Sequence, residues 1–294
     1  MTGRIDKAAL LGIVAEAEKD ATASLIPPLP AQPDVVTAFS LAHGLDRSFT
    51  HLVVALAMNK VDYWRQVFER LPADADTAAV VRQWVIWIWS DPEIGLRGRI
   101  SDPTLLGRAD AIIDMHRRTT SAAGPTSREW RQARSAIAKV QTGDKLEIAA
   151  AEGAAAAAWN LDDVPAAAED LIFALRHVMF VEIDKALDWN ELKAAAAAER
   201  EGAMMAAANA CAEAVVASLG GADKARTPEE EAALRQQAGD AFEKGMQEYT
   251  AANPSDLDRH GQLCVNAWSQ VYDLGREGLL RQLEIAATSL VGAG

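Results

Sequence analysis

The stretch Asp144–Trp159, DKLEIAAAEGAAAAAW, decides the fold. Alanine loses no side-chain entropy in a helix and is the strongest helix former. It also presents only a methyl group, so neighbouring backbones can come close. The run predicts a central helix, interrupted by Glu152 and Gly153, on which larger residues of flanking helices pack.

Towards the N-terminus the signals remain helical. Lys7–Ser24 places Leu10, Leu11, Val14, Ala17 and Ala21 on one side. Residues 26–33 hold Pro27, Pro28, Pro30 and Pro33 and read as an extended connector, because proline lacks the amide donor and clashes inside a helix. Val35–His43, Phe49–Leu71, Thr104–Thr119 and Arg128–Val140 follow as helices. Thr77–Ser90 alternates apolar residues in the manner of a strand, yet its leader TAAVVRQ makes the run too long, so a buried helix is expected. Residues 121–127, SAAGPTS, read as a linker. An N-terminal helical region 1–120 and a C-terminal bundle 126–294 are one division; a single continuous domain is the other.

Towards the C-terminus, Asp162, Asp163 and Pro165 signal a helix start, and the helix runs to Leu187. Glu191–Leu219 ends at Gly220 and Gly221, and Thr227–Glu230 forms a capping box. A last helix opens near Ser255, with Asn266, Ser269, Asp273 and Arg276 on its wet side and Cys264, Trp268, Val271 and Leu279 inward. Arg82–Asp102 overlays Arg134–Ala154 at an offset of 52 residues, a weak repeat that fits stacked helical hairpins. The class is all-α, with about ten helices as stacked hairpins or an irregular bundle around the alanine-rich one.

Half of the 294 residues are hydrophobic, enough for a core without disulfides or metals. No run reaches the ~18 apolar residues of a membrane span. The first residues carry Asp6, Glu16 and Glu18 where a secretory signal needs a basic start and an apolar run, so a cytoplasmic protein is expected. The net charge of -13 is uneven: residues 97–142 hold 9 basic and 4 acidic side chains, residues 143–294 hold 12 and 26. An acidic body disfavours nucleic acid and membrane surfaces and favours a basic protein partner. The exposed carboxylates expected to meet it are Glu199, Glu201, Glu229, Glu230, Glu231, Asp240 and Glu243.

Catalytic patterns are few. None of the five histidines has an acidic residue three positions before it, which removes the di-iron bundle motif. Asp162-Asp163 lacks the third carboxylate of a magnesium–diphosphate site. His260 and Cys264 lie four apart on one helix face, a spacing that permits a base–thiol pair but more often holds a buried structural cysteine. Trp84, Trp87, Trp89 and Trp130 are candidates for a ligand pocket, the alternative to an interaction role. Arg128, Arg131 and Arg134 form a stripe that can contact an anion or clamp acidic surface of the same chain or of a partner. No metal or cofactor is implied.

Val35–Ala57 (VVTAFSLAHGLDRSFTHLVVALA) and Ala133–Leu175 (with KVQTGDKLEIAAAEGAAAAAW and DDVPAAAEDLIFAL) resemble alanine-rich helical bacterial proteins of unassigned function. Those proteins occur in type VI secretion and toxin–immunity neighbourhoods. The resemblance implies an interaction role, such as an immunity-type inhibitor, adaptor or chaperone, and brings no functional residue with it.

Overall fold

Short polar side chains start most of the helices. In the computed structural model, which describes residues 4–19, 33–58, 60–119, 124–140, 142–221, 224 and 226–291, Asp6, Asp46, Asp76, Asp102 and Asp144 each accept a hydrogen bond from an amide of the turn they open. Thr126 with Glu129, and Thr227 with Glu230, close reciprocal capping boxes. These caps satisfy amides that have no partner inside the helix.

The helices are α1 Lys7–Ala17, α2 Pro33–His43, α3 Arg47–Ala57, α4 Val61–Arg70, α5 Thr77–Ser90, α6 Pro103–Arg118, α7 Ser127–Ile137, α8 Lys145–Ala157, α9 Ala167–Ala186, α10 Glu191–Ser218, α11 Pro228–Ala252 and α12 Leu257–Val291. A 3₁₀ turn, Leu96–Arg99, joins α5 to α6. The described residues contain no strand, and the class is all-α. Among the described residues twelve helices stand where about ten are expected. One reason is Met58, whose left-handed backbone (φ 45) separates α3 from α4 where Phe49–Leu71 read as one helix. The first helix stops at Ala17, short of Ser24. Residues 20–32, with most of the proline connector, and residues 121–123 of the linker lie outside the described residues. Among the described residues no helix is long and apolar enough to cross a membrane.

Two compact units form: Met1–Val181 with Ala267–Gly294, and Glu182–Asn266. In the first, α8 is central as its alanines predict. Ala149, Ala150, Ala154, Ala157 and Ala158 are buried against α6, α7 and the 3₁₀ turn. Gly153 lies between Leu96 and Ala174 of α9, and a Cβ there would fall on the Leu96 side chain. The C-terminal part of α12 enters the same core. Gly275 lies against Leu56 and Trp84, Gly278 against the Trp87 ring, and the Trp84 indole donates to Gly275 O at 3.0 Å.

On α12, Val271 and Leu279 are buried and Asn266, Ser269 and Asp273 exposed as expected, but two positions are reversed. Arg276 is 8% exposed: its Nε donates to Leu56 O at 2.7 Å and its Nη1 to Asp273 Oδ1 at 2.6 Å. Trp268, expected inside, is 41% exposed, with the Arg176 guanidinium 4.4 Å from its ring centre. The glycines bring α12 so close to α3 that Arg276 finds a backbone partner there, which lets a charge enter the core.

The second unit is built on α10 and α11. Arg200 lies over Tyr249, Met204 meets Thr250, and Gly245 sits against Ala208 and Cys211, so the two run antiparallel. Arg200 also grips Asp258 through two bonds of 2.7 and 2.6 Å. The connection turns on Gly220 and Gly221, both at positive φ, and Arg226 donates to Gly221 O at 2.6 Å.

Gly153→Val and Gly278→Val are each expected to destabilise by about 1–3 kcal/mol through overpacking. Gly107→Ala, on an open face of α6, is expected to stabilise by up to ~1 kcal/mol through helix propensity. Shifts of the urea midpoint at constant m would check both signs.

Candidate functional site

The acidic candidates all lie on the paired helices of the second unit. Glu199 and Glu201 stand on α10, and Glu229, Glu230, Glu231, Asp240 and Glu243 on α11. All are exposed except the half-buried Glu231. Glu230 is held by its capping box, Glu231 approaches Arg235 at 3.5 Å, and Asp240 accepts from Gln236 at 2.8 Å. Residues 182–266 carry 16 acidic and 8 basic side chains, a net of -8. The long helices therefore present mostly carboxylates and alanine methyls to solvent.

The tryptophans separate. Trp84 and Trp89 are fully buried, and the Trp89 indole donates to Asp110 at 3.3 Å. Trp87 is half-buried on Gly278. Trp130 lies elsewhere, edge-on to His116 with ring centres 4.9 Å apart. It shares a cleft of about 380 Å³ with Arg131, Arg134 and Trp159. Trp130 thus joins two arginines of the stripe. Arg134 caps the end of α8 by donating to Ala158 O at 2.8 Å, and its guanidinium stacks 3.6 Å from the Trp159 ring centre. Arg128 is exposed on the first turn of α7.

His260 and Cys264 come together with two residues that sequence reading missed. His260 Nε2 lies 2.7 Å from Asp184 Oδ1, and its ring stacks on Trp189 at 3.6 Å with planes 5° apart. Cys264 Sγ is 3.7 Å from Nε2 and 3.9 Å from Nδ1, so it faces neither nitrogen end-on. A thiol proton has no aligned base. Burial, and then the Asp184 charge, push the thiol above its ordinary pKa, away from the thiolate a nucleophile needs.

Two buried polar anchors also escaped the sequence. Glu147 gathers Ser101 N, Ser101 Oγ, Asp102 N and Thr142 Oγ1 at 2.6–3.0 Å, and those bonds hold its carboxyl down at about 2. His116 donates from Nε2 to Ala157 O at 2.7 Å. Burial, helped by the Arg82 charge, lowers its pKa to about 4, so it is neutral at physiological pH. Only the apolar context of His116 and the Ser-Asp start of α6 hinted at either. Comparison with family models, with curated proteins and with solved structures returns no match, so the functional reading rests on these surfaces.

Folded His116 stays neutral down to about 4, while the unfolded chain binds that proton near 6.5. Its stability contribution is full above pH 6.5 and is lost as pH falls towards 4, at up to about 1.4 kcal/mol per pH unit. Urea titrations should show this slope in the wild type and a flatter one in His116→Gln. Cys264 is expected to react with iodoacetamide at pH 7.5 several-fold more slowly than an unhindered thiol; an equal or faster rate would reinstate the base–thiol pair.

Proposed function

We propose that this chain is a protein-interaction module, of the immunity-inhibitor, adaptor or chaperone kind, that engages a basic partner through α10 and α11. One observation supports this most. Helices of 28 and 25 residues bury only Ala208, Leu234 and Gly245 as they pair. The sides turned away from the half-buried seam remain exposed, Glu199, Glu201, Asp240 and Glu243 among them. The two helices bring carboxylates from sequence-distant turns, Glu199 and Glu201 on one and Asp240 and Glu243 on the other, onto one antiparallel pair. Complementary charge speeds encounter and excludes acidic competitors.

A small-ligand role for the tryptophan set has less support, since Trp84 and Trp89 lie in the core with internal partners. Nucleic acid is disfavoured by the net charge, and Arg134 already serves α8.

Affinity capture from native lysate at low and high salt tests the reading. A stoichiometric basic protein retained at low salt and lost at high salt is expected. Glu199→Lys, Glu201→Lys and Glu243→Lys together should weaken its binding by about tenfold or more while the circular dichroism spectrum is unchanged. Binding that ignores both salt and charge reversal would overturn the assignment to these helices.

A further inference from the structure

A cleft of about 600 Å³ opens where the start of α4 meets the middle of α12, both within the first unit. Helix α4, 10 residues long, follows Lys60, whose side chain makes no capping bond. Tyr63 N donates to Lys60 O at 3.1 Å, which leaves the amides of Val61 and Asp62 at the positive end of the helix. Most other helices of this chain are capped by a carboxylate or hydroxyl, so the difference lies at the cleft.

A second, independent observation points to a ligand. Tyr63, on the first turn of α4, is 3% exposed, and its hydroxyl is closed from solvent without a hydrogen-bond partner. Burial pushes its pKa well above the ordinary value, so it remains a donor. Buried hydroxyls are normally paired, and an orphan in a lined cavity marks a place built for something else. Beside it, Arg276 is held rigid by Leu56 O and Asp273, with its guanidinium 5.7 Å from the Tyr63 ring centre. Lys60 adds a cation 3.8 Å from Asp273.

These donors call for an anionic acceptor. Two exposed carboxylates on the same lining, Asp62 and Glu277, repel a dianion and attract a cation. We propose that the cleft binds a small zwitterion of the free α-amino-acid class. Its carboxylate is received by the Tyr63 hydroxyl, Arg276 and the amides of Val61 and Asp62, and its ammonium by the carboxylates of Asp62 and Glu277. Entry requires a rim side chain to move, because the hydroxyl is closed from solvent. The site is independent of the acidic helices of the second unit and stands or falls without them.

Isothermal titration and thermal-shift measurements on the full chain test it. The probes are the twenty L-amino acids singly at millimolar concentration, with acetate and inorganic phosphate as anions lacking the ammonium. At least one amino acid should bind and raise the melting temperature, with acetate and phosphate about tenfold weaker or more. Tyr63→Phe removes only an unpartnered hydroxyl, so the free variant should melt at or above the wild-type temperature while binding falls about tenfold. Glu277→Gln, at an exposed position, should weaken the amino acid and leave acetate unchanged. No binding by any amino acid, unaltered binding in Tyr63→Phe, or phosphate binding as tightly as the best amino acid would each overturn the proposal.

Discussion

At Gly153 the backbone of α8 approaches its neighbours so closely that no methyl group fits between it, Leu96 and Ala174. The rest of the first unit depends on that contact and on its counterpart at Gly275 and Gly278. Where a helix offers only hydrogens and methyls, large side chains from its neighbours reach across it and interlock. Leu96 against Gly153, and Leu56 and Trp84 against Gly275, are buried in this way. Dispersion across many such contacts is what a close-packed interior contributes. The bond from Trp84 to Gly275 O adds direction, because it favours one register of α12 on α5.

Around the packing, polar groups finish the helix ends. Arg108 donates to Ala136 O at the end of α7, and Arg134 to Ala158 O just beyond α8. Both place a cation at the negative end of a helix. Arg97 clasps Asp110 through two nitrogens, and the same carboxylate receives the Trp89 indole. Much of the basic segment 97–142 is thereby engaged in architecture. Its excess positive charge reflects where helix ends need cations as much as any external anion.

What the sequence disclosed was local. Aspartate and threonine caps, the capping boxes and the alanine run all act within one or two turns, and each is legible without knowing the rest of the fold. The break at Met58 was not legible, since neither glycine nor proline marks it and a non-glycine residue takes the left-handed conformation. Arg276 was read as wet because a periodicity argument treats charge as solvent-facing, whereas its partner Leu56 lies 220 residues away. Asp184 and His260 are 76 residues apart, so the spacing of His260 and Cys264 could suggest a pair but not the ring's orientation. The cleft at α4 was equally hidden: a missing cap at Lys60 is visible locally, but the orphaned Tyr63 hydroxyl emerges only once α12 covers it.

The pairing of α10 with α11 fully buries only Ala208, Leu234 and Gly245, while Met204, Cys211, Phe242 and Tyr249 stay half-buried. Helix propensity adds to that thin seam, and alanine, glutamate and glutamine are suited to it. Such helices open in short segments at small free-energy cost, unlike strands or helices locked in a deep core. Their amide hydrogens would exchange in a graded sequence from the ends inward. A surface that yields locally can also adjust its side-chain spacing to what it meets, so the alanine-rich helices combine a fixed charge pattern with a compliant backbone.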